Sequence, residues 1–247
     1  MPLNIIAEHG TLLCIDKPAG IAVWPEGEEQ GKTLADTLLE ARPQLKELGA
    51  DRRYGIIHRL DKDTSGVLLV AKTPEAFAYF QEQFRLRLVS KTYQCLLWGS
   101  IKDEMVVVHT LLGRSAQDRR KQRTYPLEEP GTGKREAKSI FRVLQRFEGY
   151  TLVEVSPETG RKHQIRAHAT HLGHPIAGDM LYRFKNQKDP EGLTRQFLHA
   201  FSILVHMPDG SEQQFTAELP QDLQSILKQL PSQTVKISRV NYSNYSN

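Results

Sequence analysis

The length, composition and charge of the chain restrict the classes of protein to which it can belong. Its 247 residues are 39% hydrophobic, 25% charged and 8% aromatic, with a formal net charge of +4 at pH 7. This composition is typical of folded globular domains and excludes collagen-like, prion-like and wholly disordered chains. We expect one sizeable domain, because a single hydrophobic core stops growing near about 250 residues.

The apolar runs in the sequence are short. The longest, near Val67 to Ala71, has the length of a strand, far below the roughly 20 apolar residues that a transmembrane helix needs. The first ten residues show no secretory signal pattern, so we expect a cytoplasmic protein without membrane contact. Cys14 and Cys95 lie in separate apolar runs and form no Cys-x-x-Cys pair, which predicts buried thiols rather than a disulfide or metal site.

The first half of the chain alternates strand-like and helix-like patterns. Apolar runs predict strands at Leu12 to Ile15, Gly66 to Lys72 and Lys91 to Trp98. The spacing of apolar residues predicts helices from Thr33, as N-cap, to Ala41 and from Pro74 to Leu86.

The second half of the chain continues the mixed α and β pattern. Predicted strands lie at Val106 to Leu112, Lys138 to Leu144, Thr151 to Ser156, Phe197 to His206 and Phe215 to Leu219, and predicted helices lie at His163 to Leu172 and Leu223 to Leu230. The last residues show no periodicity, so we expect one domain over residues 1–231 and a disordered tail over residues 232–247.

Positive charge is concentrated in one segment, from Arg114 to Arg146. It contains ten basic and four acidic residues, a charge of +6, whereas the rest of the chain carries −2. The flanking strands predict a long hairpin or arm that protrudes from the core. Such a segment is typical of phosphate binding or of a solvated surface hairpin, and both interpretations stay open.

The densest group of reactive side chains runs from His58 to Gly66, directly before the apolar strand. By itself, this loop is typical of a structural turn in which the side chains of Asp61 and Thr64 form hydrogen bonds with backbone groups. However, the sequence HRLDKDTSG followed by VLLVAKT resembles the signature of the RluA family of RNA pseudouridine synthases.

Further blocks of that family follow in the expected order. They are DKPAG at residues 16–20, KTY at residues 91–93, GRKHQIRAH at residues 160–168, LGHPIAGD at residues 172–179 and LHA at residues 198–200. The resemblance implies an α+β catalytic fold with a central, largely antiparallel mixed sheet and flanking helices. Only 16 residues precede Lys17, so we expect a branch similar to the short RluA and TruC enzymes, without an N-terminal RNA-binding domain.

The resemblance also implies an activity: isomerisation of uridine to pseudouridine in a ribosomal or transfer RNA stem-loop, by a monomer without a metal or organic cofactor. Position in the motifs makes Asp61 the catalytic carboxylate, as nucleophile, base or electrostatic stabiliser. Arg166 corresponds to the arginine that pairs with this aspartate, and Tyr93 to the tyrosine that packs against the target base.

The resemblance assigns the remaining candidate residues to substrate binding. His58 and Arg59 lie in the region that fills the gap left by the extruded base, and Arg59 is the candidate that occupies this space or holds the neighbouring bases. Lys17 and Lys91 suit phosphate contact or loop positioning. Thr64, His163 and Gln164 lie in the same motifs. In the basic segment, the candidates for contact with the RNA backbone are Arg119, Arg120, Lys121 and Arg123.

The same residues bear on three other interpretations. His163, His168, His171 and His174 lie close together, but their spacing is not that of a metal site and no cysteine accompanies them, so we expect no metal.

A non-catalytic RNA-binding protein would have no need of Asp61, Tyr93 and Arg166 together. A nucleoside or glycoside hydrolase that uses Asp61 and Asp63 would show a motif of its own.

Overall fold

The computed structural model describes residues 3–25, 31–49 and 52–233, in which ten strands form one sheet. The strands are β1 (Ile5–Glu8), β2 (Leu12–Lys17), β3 (Ser65–Ala71), β4 (Ser90–Trp98), β5 (Met105–Arg114), β6 (Gln122–Tyr125), β7 (Arg135–Phe147), β8 (Tyr150–Pro157), β9 (Leu198–His206) and β10 (Glu212–Thr216). The helices are α1 (Leu34–Ala41), α2 (Pro74–Leu86), α3 (Gln164–His171) and α4 (Gln221–Gln229), with a 3-10 turn at Pro43–Leu45.

The sheet has the strand order β1-β2-β3-β9-β4-β8-β7-β5-β6, and β10 also pairs with β9. Every pairing is antiparallel except that of β3 with β9, which is parallel. The α+β prediction with a largely antiparallel mixed sheet is therefore confirmed. No helix in the described ranges has the length and apolar character to cross a bilayer.

Strand β3 is buried along its whole length because helices cover both of its faces. Val67 and Leu69 pack in one cluster with Phe80 of α2. Leu68 and Val70 pack in another with Leu38 of α1. A strand covered on both sides needs a continuous apolar run, and each such side chain contributes about 1.5–3 kcal/mol when it is fully buried.

The parallel pairing of β3 with β9 depends on Gly66. Its φ is +116°, and a Cβ at this position would lie 2.2 Å from the carbonyl oxygen of Ala200. Only glycine allows this conformation and this close approach. The loop that precedes β3, which carries Asp61, is thereby placed at the centre of the sheet.

The sequence patterns predicted most elements, with three differences. Strands β1 and β6 were missed, because both are short edge strands without the alternation that marks a half-buried strand. The last predicted strand, at Phe215 to Leu219, was displaced: β10 pairs Glu212 with His206 and ends at Thr216. Cys14 and Cys95 are buried thiols, as predicted.

The predicted tail begins with two ordered residues. Ser232 bridges to Phe147, and the backbone nitrogen of Gln233 donates to the carbonyl of Arg146 at 3.0 Å. Residues 232 and 233 thus contact the end of β7, and the predicted boundary at residue 232 stays a prediction. The remaining residues, 234–247, lie outside the described part of the chain.

The predicted basic hairpin, flanked by β5 and β7, contains the additional strand β6, which pairs with β5 at the edge of the sheet. Strand β6 contacts α3 and the segment that follows α3. Thr124 lies 3.1 Å from the Nδ1 atom of His171, and the backbone nitrogen of Gln122 donates to the Tyr182 hydroxyl at 2.6 Å. The hairpin therefore lies against the helix that carries Arg166.

Candidate active site

The loop that carries Asp61 is anchored at several points. Inside it, the backbone nitrogen of Thr64 donates to the Asp61 carbonyl at 3.0 Å. From the segment before β9, Gln196 donates to the Thr64 hydroxyl at 2.8 Å, and Arg195 donates to the Asp63 carbonyl at 3.1 Å. Thr64 is buried, so its polar groups hold the loop rather than face solvent.

Lys17 anchors the same loop from β2. Its side chain is fully buried, and its Nζ atom donates to the carbonyls of Pro18, Ile21 and Lys62 at 2.8, 2.8 and 3.0 Å. Burial lowers its pKa to about 7. A phosphate has no path to this enclosed group, so the structure favours the loop-positioning role of Lys17 over the predicted phosphate contact.

One cavity brings together nearly all of the predicted site residues. It has a volume of about 340 Å³. Nine of the ten motif residues line it, and Lys17 does not; the nine are His58, Arg59, Asp61, Thr64, Lys91, Tyr93, His163, Gln164 and Arg166. These residues come from the Asp61 loop, β4 and the start of α3, which meet at the sheet centre.

Arg166 links Asp61 to a second carboxylate. Its Nη1 atom donates to Oδ2 of Asp61 at 3.2 Å. Its Nε and Nη2 atoms donate to the two carboxylate oxygens of Asp179 at 2.6 and 2.8 Å. Burial opposes the charge of Arg166, but the hydrogen bonds and charges of the two aspartates outweigh it and raise the arginine pKa.

Asp179 is itself held in place. It is buried, and its Oδ1 atom also accepts hydrogen bonds from the backbone nitrogens of Leu181 and Tyr182 at 3.0 and 3.1 Å. The Tyr182 ring lies 5.0 Å from the guanidinium carbon of Arg166. Arg166 is therefore fixed on two sides, by a carboxylate and by an aromatic face.

His163 lies beside Asp61 as a neutral imidazole. Its Nε2 atom is 3.8 Å from Oδ2 of Asp61, and burial lowers its pKa to about 4. The Tyr182 hydroxyl accepts from the backbone nitrogen of Gln122 at 2.6 Å and lies 3.2 Å from Nδ1 of His163. Tyr182 thus links His163 to the start of β6.

Tyr93 lines the cavity from β4, where the pairing with β9 shifts register between Thr92 and Tyr93. Burial and the nearby charge of Asp61 raise the pKa of its phenol well above the usual value. The hydroxyl is therefore protonated at neutral pH. It presents an aromatic face and a hydrogen-bond donor to a bound molecule.

His58, a predicted substrate-binding residue, forms part of the cavity wall. Nε2 of His58 accepts a hydrogen bond from the backbone of Leu69 at 3.1 Å, and its ring stacks on Phe84 with centroids 4.9 Å apart. Burial lowers its pKa to about 3. These contacts favour a wall-forming role for His58 over the predicted direct contact with substrate.

Gln164 uses its whole amide group inside the protein. Its oxygen accepts from the Thr159 hydroxyl and the Arg161 backbone at 2.6 and 3.0 Å. Its nitrogen donates to the Lys138 carbonyl and the Ser139 hydroxyl at 2.9 and 3.0 Å. These bonds favour positioning of α3 over direct contact with substrate.

Arg59 lies at the mouth of the cavity beside an aromatic residue that the sequence patterns did not single out. The guanidinium carbons of Arg59 and Arg53 lie 5.6 and 5.3 Å from the Trp24 ring centre. All three residues line the cavity. The mouth is therefore both cationic and aromatic, a combination suited to nucleic acid.

The four predicted backbone-binding residues of the basic segment lie outside the cavity, in and before β6. Arg120 forms two hydrogen bonds to the Asp118 carboxylate, at 3.0 and 2.9 Å. The Nζ atom of Lys121 lies 5.9 Å from the Tyr182 ring centre. Arg119 and Arg123 are exposed.

The four clustered histidines have separate partners. His163 faces Asp61, whereas His168 is buried between the Thr110 and Ser139 hydroxyls at 3.1 and 3.0 Å. His171 lies beside Thr124 and His174 beside the Trp98 carbonyl. Within residues 3–25, 31–49 and 52–233, no group of three or more His, Cys, Asp or Glu is placed to hold a metal ion.

Comparison with known proteins identifies the family. A family model described as RNA pseudouridylate synthase matches residues 11–171, which include Asp61, Tyr93 and Arg166. The chain therefore belongs to the RNA pseudouridylate synthase family, and the predicted RluA-family resemblance is confirmed.

Relatives and solved structures agree with this assignment. The chain is 41% identical to an uncharacterized RNA pseudouridine synthase of Chloroflexus aurantiacus, over 87% of this chain and 65% of the relative. It is 38% identical to ribosomal large subunit pseudouridine synthase D of Nitrosomonas europaea, over 92% and 65%. The chain thus spans about 65% of the length of these relatives. The structure of human RNA pseudouridylate synthase domain containing 4 matches with a TM-score of 0.72 and 25% identity, over 91% of this chain and 92% of that chain.

Sequence reasoning missed three residues that contact the site. Asp179 lies in the quoted LGHPIAGD block, which was a usable signal, but its partner was not predictable. Tyr182 follows three residues later without a pattern of its own. Trp24 is a single aromatic residue after a turn, and nothing in its spacing indicates a place at the cavity mouth.

Proposed function

We propose that this chain isomerises uridine to pseudouridine in structured ribosomal or transfer RNA, with Asp61 as the catalytic carboxylate. The observation that carries the proposal is the Asp61 carboxylate in the cavity, bound at 3.2 Å by an arginine that Asp179 orients. The name of the Nitrosomonas relative, ribosomal large subunit pseudouridine synthase D, supports RNA as the substrate.

The proposed reaction breaks the bond between N1 of uracil and C1′ of ribose and then joins C1′ to C5. The proton on C5 leaves and N1 gains one, so no water is consumed. Hydrolytic glycosidases use two carboxylates, one of them to activate water or to attack the sugar. An isomerisation that retains its leaving group needs only one carboxylate, which acts on the electron-poor ribose.

The lining of the cavity favours the isomerase over a hydrolase. Among its described lining residues, Asp61 is the only carboxylate. Asp63 is exposed and lies outside the lining, and Asp179 is buried behind Arg166. A hydrolase based on Asp61 and Asp63 therefore has no second group in place.

The other residues have roles that follow from their positions. The target base must leave the RNA stack, at a cost of a few kcal/mol, and Tyr93 offers it a ring and a neutral hydroxyl. Arg59 at the mouth is placed to fill the vacated space. His163 lies beside Asp61 as a neutral imidazole and adds no charge there. Lys91 contacts a phosphate.

One chain carries every residue of this proposed site, so a monomer suffices. The proposal needs no cofactor, and it places the protein in the cytoplasm with its RNA. The other candidate is an RNA-binding protein that has the same scaffold without catalysis. This alternative predicts that wild type and Asp61→Asn give the same result in assays of isomerisation and of RNA binding.

The test separates chemistry from binding. Asp61→Asn is expected to abolish tritium release from RNA that contains 5-tritiated uridine, while affinity in filter binding changes by less than about tenfold, because phosphate contacts dominate binding. Asp63→Asn, in the same loop but outside the cavity, is the matched control and should keep its activity. A fully active Asp61→Asn variant would refute the assignment. Pseudouridine mapping of RNA from cells with and without the gene identifies the uridine.

A further inference from the structure

A second cavity adjoins the one that contains Asp61. Its volume is about 560 Å³. Lys91 and Arg161 line both cavities, so the two cavities share part of their walls. The other charged residues of its lining are Arg85, Arg87 and Glu158.

The positive charge of this cavity is only partly balanced. Glu158, its one acidic lining residue in the described chain, is already paired with Lys138 at 2.8 Å. Arg85 is paired with Glu82, through a hydrogen bond of 2.6 Å from its Nε atom. The remaining cations of the lining are Arg87, Lys91 and Arg161, which we call the cationic triplet.

One carboxylate faces the cationic triplet from β7, and it is shared. Glu136 lies 3.7 Å from Arg87 and 2.9 Å from His109. Arg161 donates from its Nε atom to the backbone carbonyl of Glu136 at 3.1 Å, which neutralises no charge. Arg87 and Arg161 thus share a single, exposed carboxylate, which is also paired with His109.

The positive charge around Lys91 affects its pKa. Its Nζ atom has a long hydrogen bond, 3.4 Å, to the Thr159 carbonyl. Burial lowers the lysine pKa to about 8, and the charges of Arg161 and Arg87 contribute in the same direction. An anion beside these groups would relieve their mutual repulsion.

Space for that anion is present at Lys91. Gly160 lies in the lining of both cavities, and a Cβ at this position would lie 3.8 Å from the Lys91 Nζ atom. Glycine therefore leaves one approach to the ammonium open. The two arginines supply planar forks of donors, which suit the oxygens of a phosphate.

We propose that the cationic triplet binds a backbone phosphate of a nucleotide next to the target uridine, with the uridine itself at Asp61. This inference rests on the proposed function for the identity of the anion. Arg87 follows α2, Lys91 lies on β4 and Arg161 precedes α3, so three separate elements form the subsite.

The first test uses RNA. Stem-loops that contain the mapped uridine are prepared with one methylphosphonate at each flanking phosphate in turn, and binding is measured with wild type, Arg87→Gln and Arg85→Gln. One neutral linkage should weaken wild-type binding by about tenfold. The same linkage should cost Arg87→Gln less than about twofold, because the contact is already lost. Arg85→Gln, whose charge Glu82 already balances, should respond as wild type does.

The second test does not depend on RNA chemistry. Inorganic phosphate is titrated against the three proteins and followed by phosphorus NMR. Arg87→Gln should bind phosphate at least about fivefold more weakly than wild type, and Arg85→Gln should not. Equal phosphate binding by all three proteins, or additive losses in the RNA experiment, would overturn the subsite. Loss of phosphate binding in Arg87→Gln together with no tritium release by wild type would reject the proposed function and retain the subsite.

Discussion

The carboxylate of Asp179 accepts hydrogen bonds from two nitrogens of Arg166, Nε at 2.6 Å and Nη2 at 2.8 Å. The guanidinium is planar and rigid, so this pair fixes the direction of the third nitrogen. That nitrogen, Nη1, points at Asp61. Asp179 is therefore a positioning residue, which acts on Asp61 through Arg166.

The first prediction concerns this relationship. Asp179→Asn replaces one acceptor oxygen with a donor that opposes the guanidinium, so Arg166 should lose its orientation. We expect the single-turnover rate to fall at least tenfold, since misplacement of a catalytic group by about 1 Å costs on the order of a hundredfold. RNA affinity should change less than threefold. Glu154→Gln, which removes the carboxylate partner of Arg142 on the sheet, is the control. An unchanged rate would show that Asp179 has no positioning role.

The second prediction separates charge from geometry at Arg166. Lysine retains the charge but fixes no plane, whereas methionine removes both. Arg166→Lys should lower the single-turnover rate at least tenfold with little change in RNA affinity, and Arg166→Met should lower it further. Arg142→Lys, at a surface ion pair, is the matched control. If the lysine variant turns over like wild type, orientation by Arg166 is not required; if both variants do, Arg166 does not belong to the site.

The third prediction concerns the basic hairpin. Arg119→Gln combined with Arg123→Gln should weaken RNA binding and flatten its dependence on log salt, by up to about 0.7 to 0.9 per lost phosphate contact. Lys46→Gln combined with Lys228→Gln removes the same charge from two exposed positions elsewhere and should alter the slope less. Equal slopes in both double variants would make the hairpin a solvated surface.

The fourth prediction concerns stability in acid. His168 is buried, and this burial lowers its pKa from 6.5 to about 4. The unfolded chain therefore takes up the proton first, so the contribution of His168 to the free energy of unfolding should fall as pH drops through 6.5 towards 4 and stay level above about pH 7.5. His168 should contribute on the order of 2 kcal/mol of this loss between pH 7.5 and pH 5. Urea unfolding at these pH values should show a shallower decline for His168→Gln; an equal decline would exclude His168 as a source.

Much of the site was predictable because its residues lie in contiguous motifs. Asp61, Tyr93 and Arg166 occur in three blocks whose order and composition resemble one family. The strands between them are apolar runs, whose burial follows from composition alone. These local signals identified the motif residues, and nine of the ten line one cavity in the structure.

The sequence by itself determined the mixed fold, the main elements and the motifs around Asp61. Only the tertiary structure decided which groups meet, because partners such as Arg166 and Asp61 are 105 positions apart. It showed that Asp179 orients Arg166, that three carbonyls enclose Lys17, and that the cationic triplet converges from three elements. Burial and electrostatic interaction act through space, so a lysine in a motif has no assigned role until the chain folds around it.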